Sequence, residues 1–172
     1  MTVTPVLVPL DAVDPAAVEA LLDCAFPPGR QARTAYKIRG NVAPISPLCF
    51  AMVEDEALIG SIQCWPVALT DDAGNAHPLV MVGPVAVAPD RQRDGIGRHL
   101  LHHMLTAAAS LGRDSALMLI GDPEYYGRFF GFTAERTGQW RLPGPVERHR
   151  LLARGADVPA MAGMLGPDPT RG

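Results

Sequence analysis

Glycines and arginines cluster at one predicted strand-to-helix junction, and this combination is suited to binding an anion. The stretch Val82–Leu101 begins as an apolar strand, crosses Gln92-x-x-Gly95-x-Gly97 and ends as a helix. A helix N-terminus presents N–H groups without intrahelical acceptors and the positive end of the helix dipole, and glycine lets an anion approach the backbone closely. The neighbouring positive charges are Arg91, Arg93 and Arg98. The pattern by itself fits a phosphate site and also a structural turn with solvated arginines.

Two common nucleotide-binding loops fit this junction less well. The sequence has no Gly-x-x-x-x-Gly-Lys-Ser/Thr stretch, which excludes a Walker-type loop. The dinucleotide fingerprint needs a third glycine where this chain has Leu100, and Asp122 follows a helix of the wrong register. A nucleotide-binding oxidoreductase therefore stays an alternative with less support.

The elements before the junction are predicted to be a strand, two helices and an antiparallel meander. Asp14 followed by Pro15 is typical of a helix start, because Asp caps the N-terminus and Pro fits the first turn. The predicted elements are, in order, strand Val3–Leu10, a helix from Asp14 to about Phe26, a short helix within 30–39, and strands Leu48–Val53, Ala57–Leu69 and Leu79–Ala88. Glu54–Glu56 is predicted to be a solvated turn.

The elements after the junction complete a strand–helix–strand unit. One apolar face at helical spacing consists of Ile96, Leu100, Leu101, Met104, Leu105, Ala108 and Leu111, with Gly112 ending the helix. The apolar run Ala116–Ile120 is predicted to pair in parallel with Leu79–Ala88. A capped helix from Asp122 to about Phe130 and a strand-like region Phe132–Leu152 follow. We therefore predict one domain over residues 1–152 and a poorly ordered tail over 153–172.

These residues carry a resemblance to a known family. Gln92-Arg93-Asp94-Gly95-Ile96-Gly97 resembles the acetyl-CoA-binding signature of the GNAT superfamily of N-acetyltransferases, and "GDPEYYGRFFGF", residues 121–132, is similar to a later element of that family. The order of the predicted elements matches as well, over roughly residues 1–140. The resemblance implies an α/β fold of GNAT type, with a mixed central sheet, splayed parallel strands and flanking helices.

The resemblance also implies which residues bind acetyl-CoA as cosubstrate. The pantetheine arm would pair with the backbone of Val85 and Val87 as an added strand, and Gly83-Pro84 would disrupt the ladder there, because proline has no N–H. The expected pyrophosphate-binding residues are Gln92, Arg93, Asp94, Gly95, Ile96, Gly97 and Arg98. No metal is expected to take part.

The expected chemistry is direct transfer of the acetyl group to a primary amine in a ternary complex. The departing thiolate benefits from a proton donor, and tyrosine is neutral and a donor at neutral pH. Tyr126 and Tyr125 are the candidates, and the pattern favours Tyr126 because it precedes Gly127-Arg128. An extra phenylalanine at 129–130 leaves that register open, and core packing is the other interpretation of either ring. We identify no general base.

Other reactive side chains receive structural interpretations. Cys64 is predicted to be a buried, inert thiol rather than an acyl carrier. His99, His102 and His103 are predicted to be a solvated helix face rather than metal ligands, and Trp65 and Trp140 to be packing residues. For the acceptor, Arg30, Arg33 and Arg39 suit an acidic substrate and equally an ordinary surface.

Composition bounds the remaining possibilities. The 172 residues carry a net charge of −3, with 48% hydrophobic and 19% charged residues, which is typical of a globular protein and unlike a general nucleic-acid binder. Cys24, Cys49 and Cys64 lack CxxC spacing and favour reduced thiols in the cytoplasm. We expect no leader, no membrane segment and no nucleic-acid partner. The expected partner is a small-molecule or peptide amine; a homodimer is compatible with the fold.

A second function fits the same fold. A non-catalytic module that binds acyl-CoA would carry the same glycine motif but show no turnover on any amine. The residues alone do not separate this alternative from the enzyme.

Overall fold

The computed structural model describes residues 4–170, grouped into two compact units. Within these residues the α-helices are α1 Pro15–Ala25, α2 Thr34–Arg39, α3 Ile96–Ser110 and α4 Pro123–Phe130. The strands are β1 Val6–Pro9, β2 Phe50–Glu54, β3 Ala57–Asp71, β4 Ala76–Val87, β5 Leu117–Ile120, β6 Trp140–Arg141, β7 Leu151–Arg154 and β8 Gly163–Pro167. The first unit comprises the described residues up to Arg30, Pro44–Cys64 and Gly83–Leu111; the second comprises Gln31–Ala43, Trp65–Val82 and the chain from Gly112 onward.

The strands form a mixed sheet with the order β1-β2-β3-β4-β5-β7, and β8 pairs with β3 and β6. Most pairs are antiparallel, whereas β4–β5 and β6–β8 are parallel. The predicted mixed α/β fold and its parallel strand–helix–strand connection are thus confirmed. The described part of the chain contains no helix that is long and apolar enough to span a membrane.

The first unit packs α1 and α3 through the apolar faces that the sequence predicts. Asp14 caps α1 by accepting from the Ala16 N–H at 3.0 Å, and its buried residues are Val18, Leu21 and Leu22. In α3 the buried residues are Ile96, Leu100, Leu101, Met104 and Ala108. Leu111 was predicted to share that face but is 52% exposed, because the helix has ended before it.

The second unit has its own apolar core, and the end of the chain contributes to it. The tail prediction is wrong for Gly163–Pro167, which forms β8 and pairs with β3 from Val67 to Asp71. A Cβ at Gly163 would lie 2.6 Å from the Thr70 carbonyl oxygen, so this glycine permits the close pairing. Two glycines and a proline within the five residues of β8 made the segment resemble a loop, and pairing with β3 overrides that local preference.

The predicted strand-like region Phe132–Leu152 is mostly irregular. It holds only β6 and the start of β7 among its regular strands. Trp140 is fully buried there, and its indole N–H donates to the Pro159 carbonyl at 3.0 Å. Trp65 is also buried, at 8% exposure, and the packing interpretation of both tryptophans is confirmed.

Candidate functional site

The glycine motif forms the turn between β4 and α3, within the first unit. The chain leaves β4, makes a 3₁₀ turn over Pro89–Arg91 and reaches Gly95, which has φ 75° and ψ 15° in the left-handed region. The first intrahelical bond at this end runs from the His99 N–H to the Gly95 carbonyl at 3.0 Å. The Ile96 and Gly97 amides precede it and therefore have no acceptor inside the helix. The turn can present these N–H groups to an anion.

The two glycines of the motif suit their positions for different physical reasons. Gly95 has a left-handed φ, and a Cβ built on it would meet nothing within 4 Å, so its backbone conformation, not space, favours glycine. Gly97 has no such φ. A Cβ there would lie 3.6 Å from Val87 Cγ2 and 3.8 Å from Val85 Cγ1, which is ordinary contact. Internal packing does not require a glycine at position 97. A glycine there is consistent with a ligand that lies against its open face.

Arg91 braces this turn. Its guanidinium binds both oxygens of Glu54, with the Nη2–Oε2 contact at 3.0 Å, and its Nε lies 2.5 Å from Asp94 Oδ2. The Glu54 carboxylate first, and Asp94 second, raise the pKa of Arg91 above its usual range. The prediction that Glu54 is a solvated turn residue is therefore wrong, because the fold brings it onto Arg91. Asp94 also donates its N–H to the Arg91 carbonyl at 3.2 Å, so both residues shape the turn.

The polar side chains that remain in the motif are exposed. Gln92, Arg93 and Arg98 point their side chains toward solvent as judged by their exposure, whereas Ile96 is buried at 5%. Ile96 thus anchors the helix while the polar members surround its N-terminus. This matches an arrangement in which backbone amides, with Arg93 and Arg98 nearby in sequence, face an anionic ligand.

A glycine that the motif did not include positions α3. A Cβ on Gly60 of β3 would lie 2.6 Å from Ile96 Cγ2 and 3.1 Å from Leu100 Cδ1. Only glycine lets the start of α3 lie this close to the strand. The Ala88 N–H also donates to the Ile59 carbonyl at 2.9 Å, which holds the end of β4. An isolated glycine inside a predicted strand is the signal that could have identified this close approach.

Strand β4 continues beyond its parallel ladder. The β4–β5 register pairs Val80 with Leu117 and Met81 with Met118, and ends there, whereas β4 runs on to Val87. The Gly83–Pro84 peptide, which is cis, lies just after the last paired residue. Pro84 cannot donate a backbone hydrogen bond. The ladder ends where the sequence predicted a disruption.

The tyrosines lie on α4, within the second unit. Asp122 caps this helix by accepting from the Glu124 N–H at 3.0 Å. A Cβ on Gly121 would lie 2.5 Å from Tyr126 Cε2, so the Tyr126 ring packs directly over that glycine. Tyr125 packs edge-on against Tyr126 with 5.0 Å between ring centroids. The structure thus distinguishes the two, with Tyr126 seated against the backbone that follows β5.

Burial keeps the Tyr126 hydroxyl protonated. Desolvation, followed by the neighbouring Tyr125, raises the pKa of Tyr126 to about 12, against a smaller lowering by the positive charge of Arg150. The hydroxyl is therefore neutral and able to donate a hydrogen bond throughout the physiological range. Of the two phenylalanines at the end of this helix, Phe130 is buried and Phe129 is 41% exposed.

A cleft of about 390 Å³ opens in the second unit. Its walls come from the start of α2, the end of β5 and the segment before β7. The lining residues are Ala32, Arg33, Thr34, Ala35, Ile120, Pro145, Val146, Glu147 and Arg150. The Thr34 hydroxyl donates to the Pro145 carbonyl at 2.6 Å and joins two of the walls. Neither Glu147 nor Arg150 has an individual role that the sequence predicts, because only the fold brings them into one cleft with Arg33.

The other reactive side chains lie as predicted. His99, His102 and His103 are exposed on α3. Cys64 is fully buried, and burial raises the pKa of the Cys49 thiol beside it. Among residues 4–170, no group of three or more His, Cys, Asp or Glu side chains is placed to hold a metal ion.

The comparisons with known proteins agree with this architecture. The model of the Acetyltransferase (GNAT) family matches residues 16–132, and the chain belongs to that family of acyltransferases. No curated protein sequence matches significantly. Of the similar solved structures, a GNAT family N-acetyltransferase from Escherichia coli (YhbS) in complex with CoA has a TM-score of 0.69 at 23% identity, covering 94% of this chain and 87% of that one.

A second similar structure is a GNAT family acetyltransferase from Brucella melitensis in complex with acetyl-CoA. Its TM-score is 0.55 at 22% identity, and the match covers 90% of this chain and 97% of that one. At these identities both likenesses concern the fold.

Proposed function

We propose that this protein transfers the acetyl group of acetyl-CoA to a primary amine of a small molecule or peptide. One observation carries the proposal: Gly95, in the left-handed conformation, precedes the first residue of α3, and internal packing does not require a glycine at Gly97. Backbone amides and a helix dipole in this arrangement favour a diphosphate. Membership of the GNAT family supports acyl transfer as the reaction class.

The pantetheine arm is assigned to the last residues of β4. Val85 and Val87 are half-buried and lie beyond the end of the parallel ladder at Met81. An extended ligand can pair with strand backbone as an added strand. Val85 and Val87 also flank the open face of Gly97, so the proposed pantetheine and pyrophosphate positions are contiguous within the first unit.

Two proton transfers accompany the reaction. A lysine-type amine with a pKa of about 10.4 needs about 4.6 kcal/mol to lose its proton at pH 7. The neutral amine then attacks the thioester carbonyl, and the C–S bond breaks. β4 carries no acidic residue, so we assign removal of the amine proton to water rather than to a carboxylate of that strand.

Tyr126 is assigned the role of donor to the departing thiolate. With its pKa at about 12, complete proton transfer to a thiolate of ordinary pKa, about 8.5, would be uphill by about 4.8 kcal/mol. We therefore assign Tyr126 a hydrogen bond to the developing negative charge, with the final proton supplied by solvent. Tyr125 packs against this ring and has the supporting role.

The test combines binding with turnover. Titration calorimetry with acetyl-CoA, CoA, NAD and NADP should detect the first two ligands only, and mass spectrometry should detect an acetylated amine from a broad panel. Binding of NAD or NADP without CoA would contradict the proposal. CoA binding without any turnover would favour the non-catalytic acyl-CoA module.

A further inference from the structure

We propose that the acceptor is a small amine that also carries an anionic group, a carboxylate or a phosphate, which Arg33 and Arg150 bind in the cleft of the second unit. This inference rests on the proposed acetyl transfer and adds the substrate class.

Three other arginines of the described chain make internal contacts. Arg30 is 5% exposed and pairs with Glu19 at 2.5 Å and Asp23 at 3.0 Å. The Arg39 guanidinium lies 3.8 Å from the ring centroids of both Tyr36 and Trp65. Arg148 donates to the Trp140 and Thr137 carbonyls. These three arginines hold the fold and are poor candidates for binding a ligand.

Arg33 and Arg150 differ from them. Both are exposed and both line the cleft, and neither forms an ion pair with another residue of the described chain 4–170. A guanidinium binds carboxylate or phosphate through two parallel hydrogen bonds. Two such groups lining one concave surface favour an anionic ligand over a neutral one.

The cleft adjoins the proposed proton donor. Ile120 lines it and ends β5, and the next N–H, that of Gly121, donates to the Arg150 carbonyl at 2.9 Å. Gly121 is the residue over which the Tyr126 ring packs. The charge of Arg150 also acts on the Tyr126 hydroxyl. The cleft is therefore connected to Tyr126 through the backbone of Gly121 and through the charge of Arg150.

The size and charge of the cleft limit the acceptor. About 390 Å³ is near the lower end of ligand pockets and suits a small molecule. Glu147 is the acidic residue that lines it, and its negative charge suits an ammonium. Two guanidiniums and one carboxylate are complementary to a zwitterion with a single amine.

The anionic group takes no part in bond making. The amine nitrogen forms the new C–N bond, the C–S bond breaks, and one proton leaves nitrogen while one is taken up by sulfur. The products are the N-acetyl amine and CoA. The carboxylate or phosphate only orients the amine, so its removal should act mainly on KM.

The experiment compares matched acceptors that differ in one charge. The probes are an amino acid panel against the corresponding amino acid amides, and O-phosphoethanolamine against ethanolamine, with acetyl-CoA saturating and CoA release measured. In at least one of these two pairs, we expect kcat/KM to be at least 10-fold higher for the anionic acceptor than for its neutral counterpart. Which pair responds distinguishes a carboxylate from a phosphate.

Variants then locate the effect. Arg33→Gln and Arg150→Gln should each lower kcat/KM for the anionic acceptor by about 10-fold, the cost of losing one charge-assisted interaction, mostly through KM. The KM for acetyl-CoA should not change. Arg141→Gln is the control, because it removes the same charge from an exposed arginine that pairs with Asp72 outside the cleft.

The outcomes separate this inference from the proposed function. If neutral amines are acetylated as well as their anionic partners, or if neither arginine variant alters the preference, the acceptor class is wrong while acetyl transfer stands. If acetyl-CoA binds and no probe is acetylated, the acceptor class is also wrong. If acetyl-CoA does not bind at all, both fail.

Discussion

The turn at Gly95 and the cleft at Arg150 use charge in opposite ways. At the turn, the Arg91 cation is paired with Glu54 and Asp94, and the amides of Ile96 and Gly97 have no acceptor inside the helix. The cleft, by contrast, is lined by Arg33 and Arg150, which are both exposed. The turn is therefore specified by backbone conformation, and the cleft by side-chain identity. Substitutions should act differently on the two regions.

The two regions also differ in how their residues are collected. The turn uses consecutive residues from 89 to 98, braced by one distant carboxylate. The cleft draws residues from positions 32–35, 120 and 145–150. A motif of consecutive residues can be recognised in the sequence, whereas a surface assembled from separate segments has no local pattern.

Gly97→Val should abolish most acetyl-CoA affinity without unfolding the protein. The side chain enters the open face where amides would bind the diphosphate, and losing two charge-assisted hydrogen bonds corresponds to about 100-fold or more in Kd. Calorimetric titration measures the change. Gly138→Val is the control, since Gly138 also has open space and lies outside both regions; equal affinity loss in both variants would contradict the assignment.

Tyr126→Phe should lower kcat by about 100-fold, as expected for loss of a group that stabilises the departing thiolate. The Kd for acetyl-CoA should stay within about two-fold, because the hydroxyl is not assigned to binding. Tyr125→Phe provides the comparison and should have a smaller effect on kcat. A larger loss in Tyr125→Phe would reverse the assignment of the two rings.

Alkaline pH should destabilise the protein through Tyr126. Its pKa is about 12 in the folded state and about 10 when unfolded. The unfolded chain therefore releases this proton first, so the contribution to stability is complete below pH 10 and is lost as pH rises to 12. The loss is about 2–3 kcal/mol. Denaturant unfolding of wild type and Tyr126→Phe from pH 8 to 11.5 should diverge above pH 10; parallel curves would contradict the burial of the hydroxyl.

Glu54→Gln should weaken acetyl-CoA binding by about 3- to 10-fold, because Arg91 loses its charged partner and the turn is less well ordered before the ligand arrives. The glutamine keeps the size of the side chain. Glu56→Gln is the matched control, since it removes one negative charge from an exposed residue two positions after Glu54. Similar effects in both variants would mean that general charge, rather than the Arg91 brace, is responsible.

Much of the fold followed from short-range patterns. Asp14 and Asp122 cap the helices that the sequence assigned to them, because capping depends on residues two or three positions apart. The parallel pairing of β5 with β4 followed from an apolar run after a helix. The end of the chain did not follow: β8 has little strand preference of its own and forms through its contacts with β3.

The candidate site divides in the same way. The sequence predicts the glycine turn, Val85 and Val87, and the tyrosine pair as site residues. It placed Glu54 in a solvated turn, although Glu54 binds Arg91, and it could not separate Arg33 from Arg30 and Arg39. Those three arginines are alike in sequence and differ only in what the folded chain places around them.

The sequence by itself therefore determined where the backbone turns, where helices begin and which residues could donate to a diphosphate. These properties depend on φ preference, capping and periodicity, which act over a few residues. Only the tertiary structure decided which charged side chains form internal contacts and which line a cleft. It also decided that Gly60 and Gly121 make room for Ile96 and Tyr126. Ion pairing and close packing depend on distance in space, and local sequence patterns do not specify the distance between residues far apart in the chain.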